Sequence, residues 1–210
     1  EVHNITIFKN SNIQRIIEQP INKEDISVKA LKTIFHSPDY FKGIPLSSTL
    51  LLTFNYTDTV DEYANTPNIM VNHIHGIIHK PESIIFGYGD EMDKHYQELE
   101  DFNDNNYLAH IKSSKYLDAS NYRKLLQFVE SAPFQIYIMG HSCGNSDRTL
   151  LNTLFEHENC ISIKPFYYKK EDGTDNYTEI AQNISRNFKD KQALRAKVVP
   201  KDCCEPLPQA

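Results

Sequence analysis

The chain has 210 residues, of which 40% are hydrophobic and 11% aromatic, a composition that excludes a disordered protein. No run approaches the roughly 18 consecutive apolar residues of a membrane-spanning helix, so no membrane association is expected. The formal net charge of −6 disfavours direct binding of nucleic acid, because the phosphate backbone attracts basic surfaces. This charge is still compatible with a nucleotide-sized ligand held by backbone N–H groups.

The cysteines bear on the compartment in which the protein works. They contain no C-x-x-C pair and no spacing typical of a disulfide framework, so a reducing cytoplasm is expected. The four cysteines are Cys143, Cys160, Cys203 and Cys204.

Hydrophobic spacing predicts short elements along the chain. Residues 1–48 are polar and interrupted, and two short helices are predicted there, at residues 12–18 and 24–35. Beyond them, apolar runs predict strands and periodic apolar positions predict helices. The strands are expected at residues 50–54, 69–74, 83–86, 134–139 and 160–166, and the helices within 91–132, from Ser146 or Asp147 onward, and at 176–188.

The alternation of strands and helices predicts βαβ units and therefore a three-layer α/β fold, with a mainly parallel sheet flanked by helices. We expect a helical or irregular segment over 1–48, an α/β domain over 49–190 with a helical insertion near 91–132, and an irregular tail over 191–210. Ligands of such sheets bind beyond the carboxyl ends of the strands. Four predicted strands end in polar clusters, which therefore predict one composite site; the clusters are residues 55–58, 73–76, 87–90 and 140–147.

The first cluster, residues 55–58, directly follows a strand. Asn55 can both donate and accept hydrogen bonds, so it can orient a sugar hydroxyl or an attacking water. The alternative is that Asn55 and Asp58 only cap the strand and the helix that follows it, where such residues are favoured anyway. The cluster at residues 87–90 has two similar interpretations, a cradle for part of a ligand or a tight turn before a helix.

The second cluster carries two histidines, His73 and His75, followed by Gly76. On a strand both rings would face the same side, but a zinc site needs further ligands at compatible spacing, and no metal is expected. A histidine at the end of a strand suits a general base near neutral pH, and Gly76 would let a ligand approach closely. The alternative is that His75 satisfies a buried polar neighbour.

The fourth cluster contains Gly-His-Ser-Cys-Gly at residues 140–144, which fits the G-x-S-x-G pattern of a nucleophile elbow between a strand and a helix. A serine hydrolase also needs an acid and a later histidine, and only His157 follows Ser142. In the other interpretation, the N–H groups of the same loop bind ligand hydroxyls or phosphates.

Taken in order, these segments resemble the bacteriophage abortive infection AbiH family, a branch of the sirtuin-like group. The resemblance implies a sirtuin-like, Rossmann-type fold that binds or cleaves NAD. It covers about residues 50–168 and is carried by Leu-Thr-Phe-Asn-Tyr-Thr-Asp at 52–58, Asn-His-Ile-His-Gly at 72–76, Ile-Ile-Phe-Gly-Tyr-Gly-Asp at 84–90, and Met-Gly-His-Ser at 139–142 with Ser-Asp at 146–147.

The resemblance also implies roles for individual residues. Asn55 and His75 would be catalytic, with Asn55 orienting water or the ribose and His75 accepting a proton. NAD would be the substrate, and no metal would be required. The residues expected to contact NAD are Thr53, Asp58, Gly76, Gly140, His141, Ser142 and Asp147.

The function that the resemblance implies is an anti-phage effector, an NAD glycohydrolase that releases nicotinamide and ADP-ribose. Its expected partners are the nucleotide, a phage-derived trigger and further copies of the chain. Family members usually open with a strand and a Gly-Asn-Gly-Phe-Asp-like loop, the expected phosphate cradle. Nothing like it occurs in residues 1–48, so we expect either a C-terminal portion or a lost cradle. Two alternatives stay open, a non-catalytic nucleotide sensor and a serine hydrolase that uses Ser142.

Overall fold

Two pairs of parallel strands form the centre of the molecule, whose computed structural model describes residues 10–35, 43–44, 46–88, 91–92, 95–109 and 111–209. The strands are β1 (Ile21–Asn22), β2 (Gly43–Ile44), β3 (Thr49–Thr53), β4 (Ile69–His73), β5 (Phe134–Met139) and β6 (Cys160–Phe166). β3 pairs with β4 and β5 pairs with β6, both in parallel, while the short β1 and β2 pair antiparallel.

Helices precede, connect and follow the two strand pairs. α6 precedes β5, and α7 connects β5 to β6. The helices are α1 (Ser11–Glu18), α2 (Val28–Phe35), α3 (Tyr96–Asp101), α4 (Asn105–Leu108), α5 (Lys112–Lys115), α6 (Asn121–Ser131), α7 (Arg148–Glu156), α8 (Tyr177–Arg186) and α9 (Lys191–Lys197). Together they confirm the prediction of an α/β fold with parallel strands and flanking helices.

The main core lies around β6 and the helices that pack on it. Every residue of β6 is buried, whereas β3 and β5 are mostly half-buried. Apolar side chains at helical spacing on α6, α7 and α8 cover the strands, as their sequence periodicity predicts. The largest fully buried side chains of this core include Leu125, Leu150, Phe155, Ile163 and Ile184.

The strand predicted at residues 83–86 is wrong. A single 3-10 turn occupies Pro81–Ser83, and the residues after it pair with no strand. Ile85 is held instead by isolated contacts, because its N–H donates to the carbonyl of His75 at 2.9 Å and its own carbonyl accepts from the Tyr56 hydroxyl at 3.2 Å. An apolar segment pinned in this way needs no ladder of hydrogen bonds. Gly89 and Asp90, which belong to the same sequence cluster, lie outside the described residues.

The segment predicted as an irregular tail begins with a helix. Asp190 accepts a hydrogen bond from the N–H of Gln192 at 2.7 Å, which caps the first turn of α9. From Val198 onward the chain contains one 3-10 turn, Lys201–Cys203. The division into segments over 1–48, 49–190 and 191–210 stays a prediction. In the part of the chain that the structure describes, no helix is long and apolar enough to cross a membrane.

Candidate functional site

The carboxyl ends of β3, β4 and β5 meet at one place. The ring of Phe54, directly after β3, lies 4.1 Å from the ring of His141 and 5.3 Å from that of His75, measured between centroids. His141 follows β5, and His75 follows β4. The predicted convergence of polar strand ends is therefore present for these three strands, with an aromatic side chain between the two histidines.

Asp147, just before α7, is the centre of this site. Its Oδ1 lies 2.9 Å from Lys112 Nζ and 3.2 Å from His75 Nε2. Its Oδ2 accepts from the Ser146 hydroxyl at 3.1 Å and faces His141 Nε2 at 3.6 Å. One buried carboxylate thus gathers two imidazoles, an ammonium group and a hydroxyl.

The surroundings of Asp147 keep its carboxyl ionised. Burial by itself raises the pKa of a carboxyl group, but the polar contacts of His141, His75 and Lys112, together with the Lys112 charge, outweigh burial and hold the pKa of Asp147 well below its usual range. A carboxylate in this state only accepts hydrogen bonds. Asp147 is therefore suited to orienting its neighbours, not to giving up a proton.

The ionised Asp147 determines which ring nitrogens carry protons. His75 Nε2 faces the ionised Oδ1 of Asp147, so Nε2 is the donor in this contact, and Nδ1 is the ring nitrogen that the contact does not use. In His141 the N–H of Cys143 donates to Nδ1 at 3.0 Å, so Nε2 is the protonated nitrogen. The ammonium of Lys112, 2.9 Å from Oδ1, balances the charge of the Asp147 carboxylate.

Two tyrosines line the His75 ring. The Tyr116 hydroxyl lies 3.2 Å from His75 Nε2, and the two rings are stacked with centroids 6.3 Å apart. Burial, and then the charge of Asp147, raise the pKa of the Tyr116 hydroxyl, which therefore stays protonated. The Tyr56 ring lies 6.4 Å from the His75 ring, measured between centroids. His75 is only 3% exposed in this setting.

The rim of the site is formed by the backbone loop after β5 and by Asn55. Asn55 and Ser142 are exposed to solvent. Gly140 has a φ of 73°, which favours glycine, and a Cβ at this position would meet no atom within 4 Å. The space beside Gly140 is therefore open to a ligand. Asn183 anchors the loop by donating to the carbonyl of Ser142 at 2.8 Å.

Several residues predicted to contact NAD have other partners in the structure, Asp147 and His141 among them. Gly76 makes a tight turn at φ 82°, where a Cβ would lie 2.1 Å from the carbonyl oxygen of Ser83, so close packing of protein backbone accounts for this glycine. Thr53 is buried, and its hydroxyl accepts from the N–H of Asn55 at 3.2 Å. Asp58 lies at the surface, 3.5 Å from His79. Their roles in binding stay predictions.

The two neighbouring histidines separate in the structure. His73, the last residue of β4, places Nε2 2.9 Å from Asp61, while His75 turns inward to Asp147. β4 ends at His73, so the alternation that would place both rings on one face does not extend to His75. Among the described residues, no group of three or more His, Cys, Asp and Glu side chains could hold a metal ion.

The elements of a serine hydrolase are not brought together. Ser142 follows the carboxyl end of β5, whereas the ring of His157 packs on Phe134, the first residue of that strand, at 5.6 Å. The left-handed backbone position that a nucleophile elbow needs is taken by Cys143, at φ 53°. Burial, and then the charge of Asp147, raise the pKa of Cys143 to about 12, so its thiol is not a nucleophile either.

Lys112 and Tyr116 are members of this site that the sequence did not indicate. Both lie in the polar helical region between β4 and β5, 35 and 41 positions from their respective partners Asp147 and His75. Neither belongs to a motif. Lys112 lies in a segment with many other charged residues, most of which are exposed to solvent. Nothing in the hydrophobic pattern of the sequence therefore marks this lysine as buried.

Comparison with known proteins identifies a family. Residues 2–169 match the family described as bacteriophage abortive infection AbiH. No match to the chain is found among curated proteins or among solved structures. Since the matched residues include β3 to β6 and the cluster around Asp147, the chain belongs to the AbiH family, and its role lies in abortive-infection defence against bacteriophages.

Proposed function

We propose that the chain hydrolyses NAD at the bond between nicotinamide and ribose, and that this reaction is its contribution to defence. The observation that carries the proposal is the pairing of His75 with the ionised Asp147, beside an exposed loop with open space at Gly140. Loss of NAD from an infected cell would stop growth before phage maturation. Cytoplasmic location, a phage-derived trigger and self-association are parts of this proposal.

The proposed reaction is a hydrolysis of the N-glycosidic bond of NAD. Water attacks the anomeric carbon of the ribose, the bond to nicotinamide breaks with its electron pair going to the ring nitrogen, and nicotinamide leaves as a neutral molecule. ADP-ribose forms, and the proton of the attacking water goes to Nδ1 of His75. Asp147 holds the opposite ring nitrogen and stabilises the resulting imidazolium. Asn55 orients the water or the ribose hydroxyls.

The charges around the site suit this chemistry. The Lys112 charge offsets that of Asp147, and Asp147 engages Nε2 of His75, so that Nδ1 is the nitrogen assigned to accept the proton. Phe54 and Tyr56 flank the His75 ring with apolar surface. An apolar wall beside the base excludes bulk water and strengthens the electrostatic interactions within the site. In this scheme the Gly140–Ser142 loop holds the sugar through its backbone.

A second candidate is a nucleotide-binding sensor that performs no chemistry. The observation that favours it is the burial of His75, which is 3% exposed and has Asp147 and Tyr116 as partners. A histidine with such partners can be purely structural. In this interpretation Asn55 and the loop after β5 bind the nucleotide, and binding itself is the signal.

The test is nicotinamide release from NAD by the purified chain, without and with extract of phage-infected cells as a source of the trigger. Replacement of His75 by Asn should lower the rate by about 10²–10⁴-fold, the usual contribution of a general base. The matched control is His79→Asn, since His79 lies at the surface beside Asp58 and should leave the rate unchanged.

Equal rates for the two variants would contradict the role of His75. If neither condition yields nicotinamide while NAD still stabilises the chain against heat, the sensor is the correct assignment. Loss of that thermal shift on replacing Asn55 by Ala would then locate the bound nucleotide at the rim of the site.

A further inference from the structure

Two asparagines at the end of α8 bind the loop that follows β5. Asn183, in α8, donates through Nδ2 to the carbonyl of Ser142 at 2.8 Å. Asn187, directly after α8, donates through Nδ2 to the carbonyl of Cys143, also at 2.8 Å. Two successive carbonyls of the loop are therefore held by one helix end. Both asparagines lie beyond the residues that match the AbiH family, so the match assigns them no role.

The end of α8 is itself fixed to α7, the helix into which the loop leads. Asn152 of α7 donates through Nδ2 to the carbonyl of Asn187 at 3.0 Å. The rings of Phe155 and Phe188 stack beside this contact, with centroids 5.6 Å apart, and both side chains are buried. The two asparagines therefore bind the loop from a position that packing against α7 determines.

The contact with Asn183 sets the direction of a peptide group next to the candidate site. The peptide between Ser142 and Cys143 is trans, so its carbonyl and its N–H point in opposite directions. The carbonyl faces Asn183, and the N–H donates to Nδ1 of His141 at 3.0 Å. Nε2 of the same ring faces Asp147 at 3.6 Å. A continuous series of contacts thus leads from α8 to the carboxylate at the centre of the site.

The loop needs such support because its backbone conformation is unfavourable by itself. Cys143 has a φ of 53°, in the left-handed region that residues other than glycine rarely adopt. A residue keeps this conformation only where its surroundings impose it. Cys143 is 1% exposed, and its carbonyl is the group that Asn187 binds. Asn187 therefore supports the strained residue directly.

Capping of α8 accounts for only part of the contacts of Asn187. Its Nδ2 does donate to the carbonyl of Asn183, in the last turn, at 2.8 Å. An asparagine that ends a helix by its backbone adopts a left-handed conformation, whereas Asn187 has φ −86° and ψ −1°. Within the described residues, its buried Oδ1 has no hydrogen-bond partner, which costs free energy. The amide is thus oriented for donation to two carbonyls, one of them in the loop.

We propose that Asn183 and Asn187 are positioning residues of the candidate site, which hold the loop after β5 so that His141 stays against Asp147 and the loop backbone faces the nucleotide. This proposal deepens the proposed NAD hydrolysis and rests on it. Neither asparagine touches the reacting atoms in this assignment. Both act through the carbonyls of the loop.

A positioning role in the loop predicts a larger effect on KM than on kcat. In the proposed hydrolysis the loop holds the sugar, while His75 accepts the proton and Lys112 continues to hold Asp147. Loss of the loop conformation should therefore raise the KM for NAD about tenfold, the equivalent of one lost hydrogen bond. The kcat should change by less than about twofold, because the groups at the reacting atoms stay in place.

The test compares Asn183→Asp with Gln182→Glu. The first variant keeps the shape of the side chain but removes its N–H donors, so that an oxygen faces the Ser142 carbonyl. The second adds the same charge at the preceding, exposed residue of α8 and is the matched control. Asn187→Asp makes the equivalent change at the Cys143 carbonyl. Circular dichroism verifies that each variant is folded.

Alkylation of two buried thiols by iodoacetamide measures the loop without NAD. Cys143 lies in the loop and Cys160 in β6; they are 1% and 2% exposed, and burial raises the pKa of each thiol to about 12. Peptide mass spectrometry reports each cysteine separately. Asn183→Asp should accelerate alkylation of Cys143 by about tenfold or more, through local opening of the loop, and leave Cys160 unchanged. Gln182→Glu should change neither rate.

Three results would overturn the proposal. If Cys143 is alkylated equally slowly in Asn183→Asp, Asn187→Asp and the unmodified chain, the asparagines do not hold the loop. If its alkylation is faster but the KM for NAD is unchanged, they support the fold and not the site. If Cys143 and Cys160 become faster together in Asn183→Asp, the effect is global unfolding. The labelling result is independent of NAD, so failure of the proposed hydrolysis would appear separately, as absence of nicotinamide release by the unmodified chain.

Discussion

Two buried pairs of lysine and aspartate lie in different regions of the molecule and invite comparison. Lys112 contacts Asp147 at 2.9 Å, and Lys164 contacts Asp25 at 3.2 Å. The four residues are 5% to 8% exposed, so the two pairs are alike in burial. Burial of a charge pair by itself therefore does not distinguish a functional region from a structural one.

The neighbours of each pair make the difference. Asp147 also faces His75 and His141, at the ends of parallel strands and beside an open loop. The second pair is contacted by an amide, with Gln135 Nε2 2.6 Å from the Ser162 hydroxyl and 3.3 Å from Asp25, and by the exposed carboxylate of Glu205, 4.0 Å from Lys164. It ties the turn before α2 to β5 and β6. The first pair orients titratable rings, whereas the second joins two parts of the fold.

Removing each lysine should separate stability from activity. Lys112→Met and Lys164→Met each leave a buried carboxylate without its cation, which should lower the free energy of unfolding by about 3–5 kcal/mol, as measured in urea. Per folded molecule, only Lys112→Met should slow nicotinamide release, because only Asp147 orients His75. Equal slowing by Lys164→Met would mean that the two pairs do not differ in function.

The stability of the chain at low pH should show that Asp147, the carboxylate of the first pair, is ionised in the folded state. The pKa of Asp147 is lower in the folded chain than in the unfolded one, so its stabilisation is complete above the unfolded value of about 3.9 and is lost as the pH falls below it. Below about pH 4, the free energy of unfolding of the unmodified chain should therefore decrease more steeply than that of Asp147→Asn. Parallel curves for the two proteins would show that Asp147 is not stabilised as a carboxylate.

The smallest expected effect on stability comes from Gly140, which precedes His141, the residue that faces Asp147 of the first pair. Gly140→Ala should cost about 1–2 kcal/mol, because φ is 73° there and nothing lies within 4 Å of a Cβ. Gly173→Ala is a matched control, with φ 82° and equally open surroundings. Thermal unfolding should show similar losses, and only Gly140→Ala should change the NAD reaction. If Gly173→Ala also changed the NAD reaction, Gly140 would have no special role in that reaction.

Much of the fold could be predicted because its elements follow local patterns. Apolar runs located β3 to β6 within one or two residues, and apolar periodicity located α7 and α8. The predicted strand at 83–86 is wrong because burial of Ile85 through isolated contacts produces the same apolar run as a strand does. The hydrophobic pattern of the sequence does not show whether an apolar segment pairs with a neighbouring strand.

The candidate site was predictable where its residues follow strands. His75 and His141 come after β4 and β5, and Asp147 follows in the same loop region as His141, so the topology of a parallel sheet brings them close. That His73 and His75 contact different carboxylates was not predictable, because it depends on where β4 ends. Lys112 and Tyr116 were not predictable either, since contacts between distant segments have no periodic signature.

The amino-acid sequence by itself determined the class of fold, the positions of the main strands and helices and the polar ends at which they converge. These three features depend on the spacing of apolar and polar residues along the chain, because that spacing and the local conformational preferences decide where strands and helices form. Only the tertiary structure decided that Asp147 is held by Lys112, that His75 is turned inward, and that the end of α8 binds the loop after β5. Those features depend on how separate segments pack and on which polar groups meet, and no single segment carries that information.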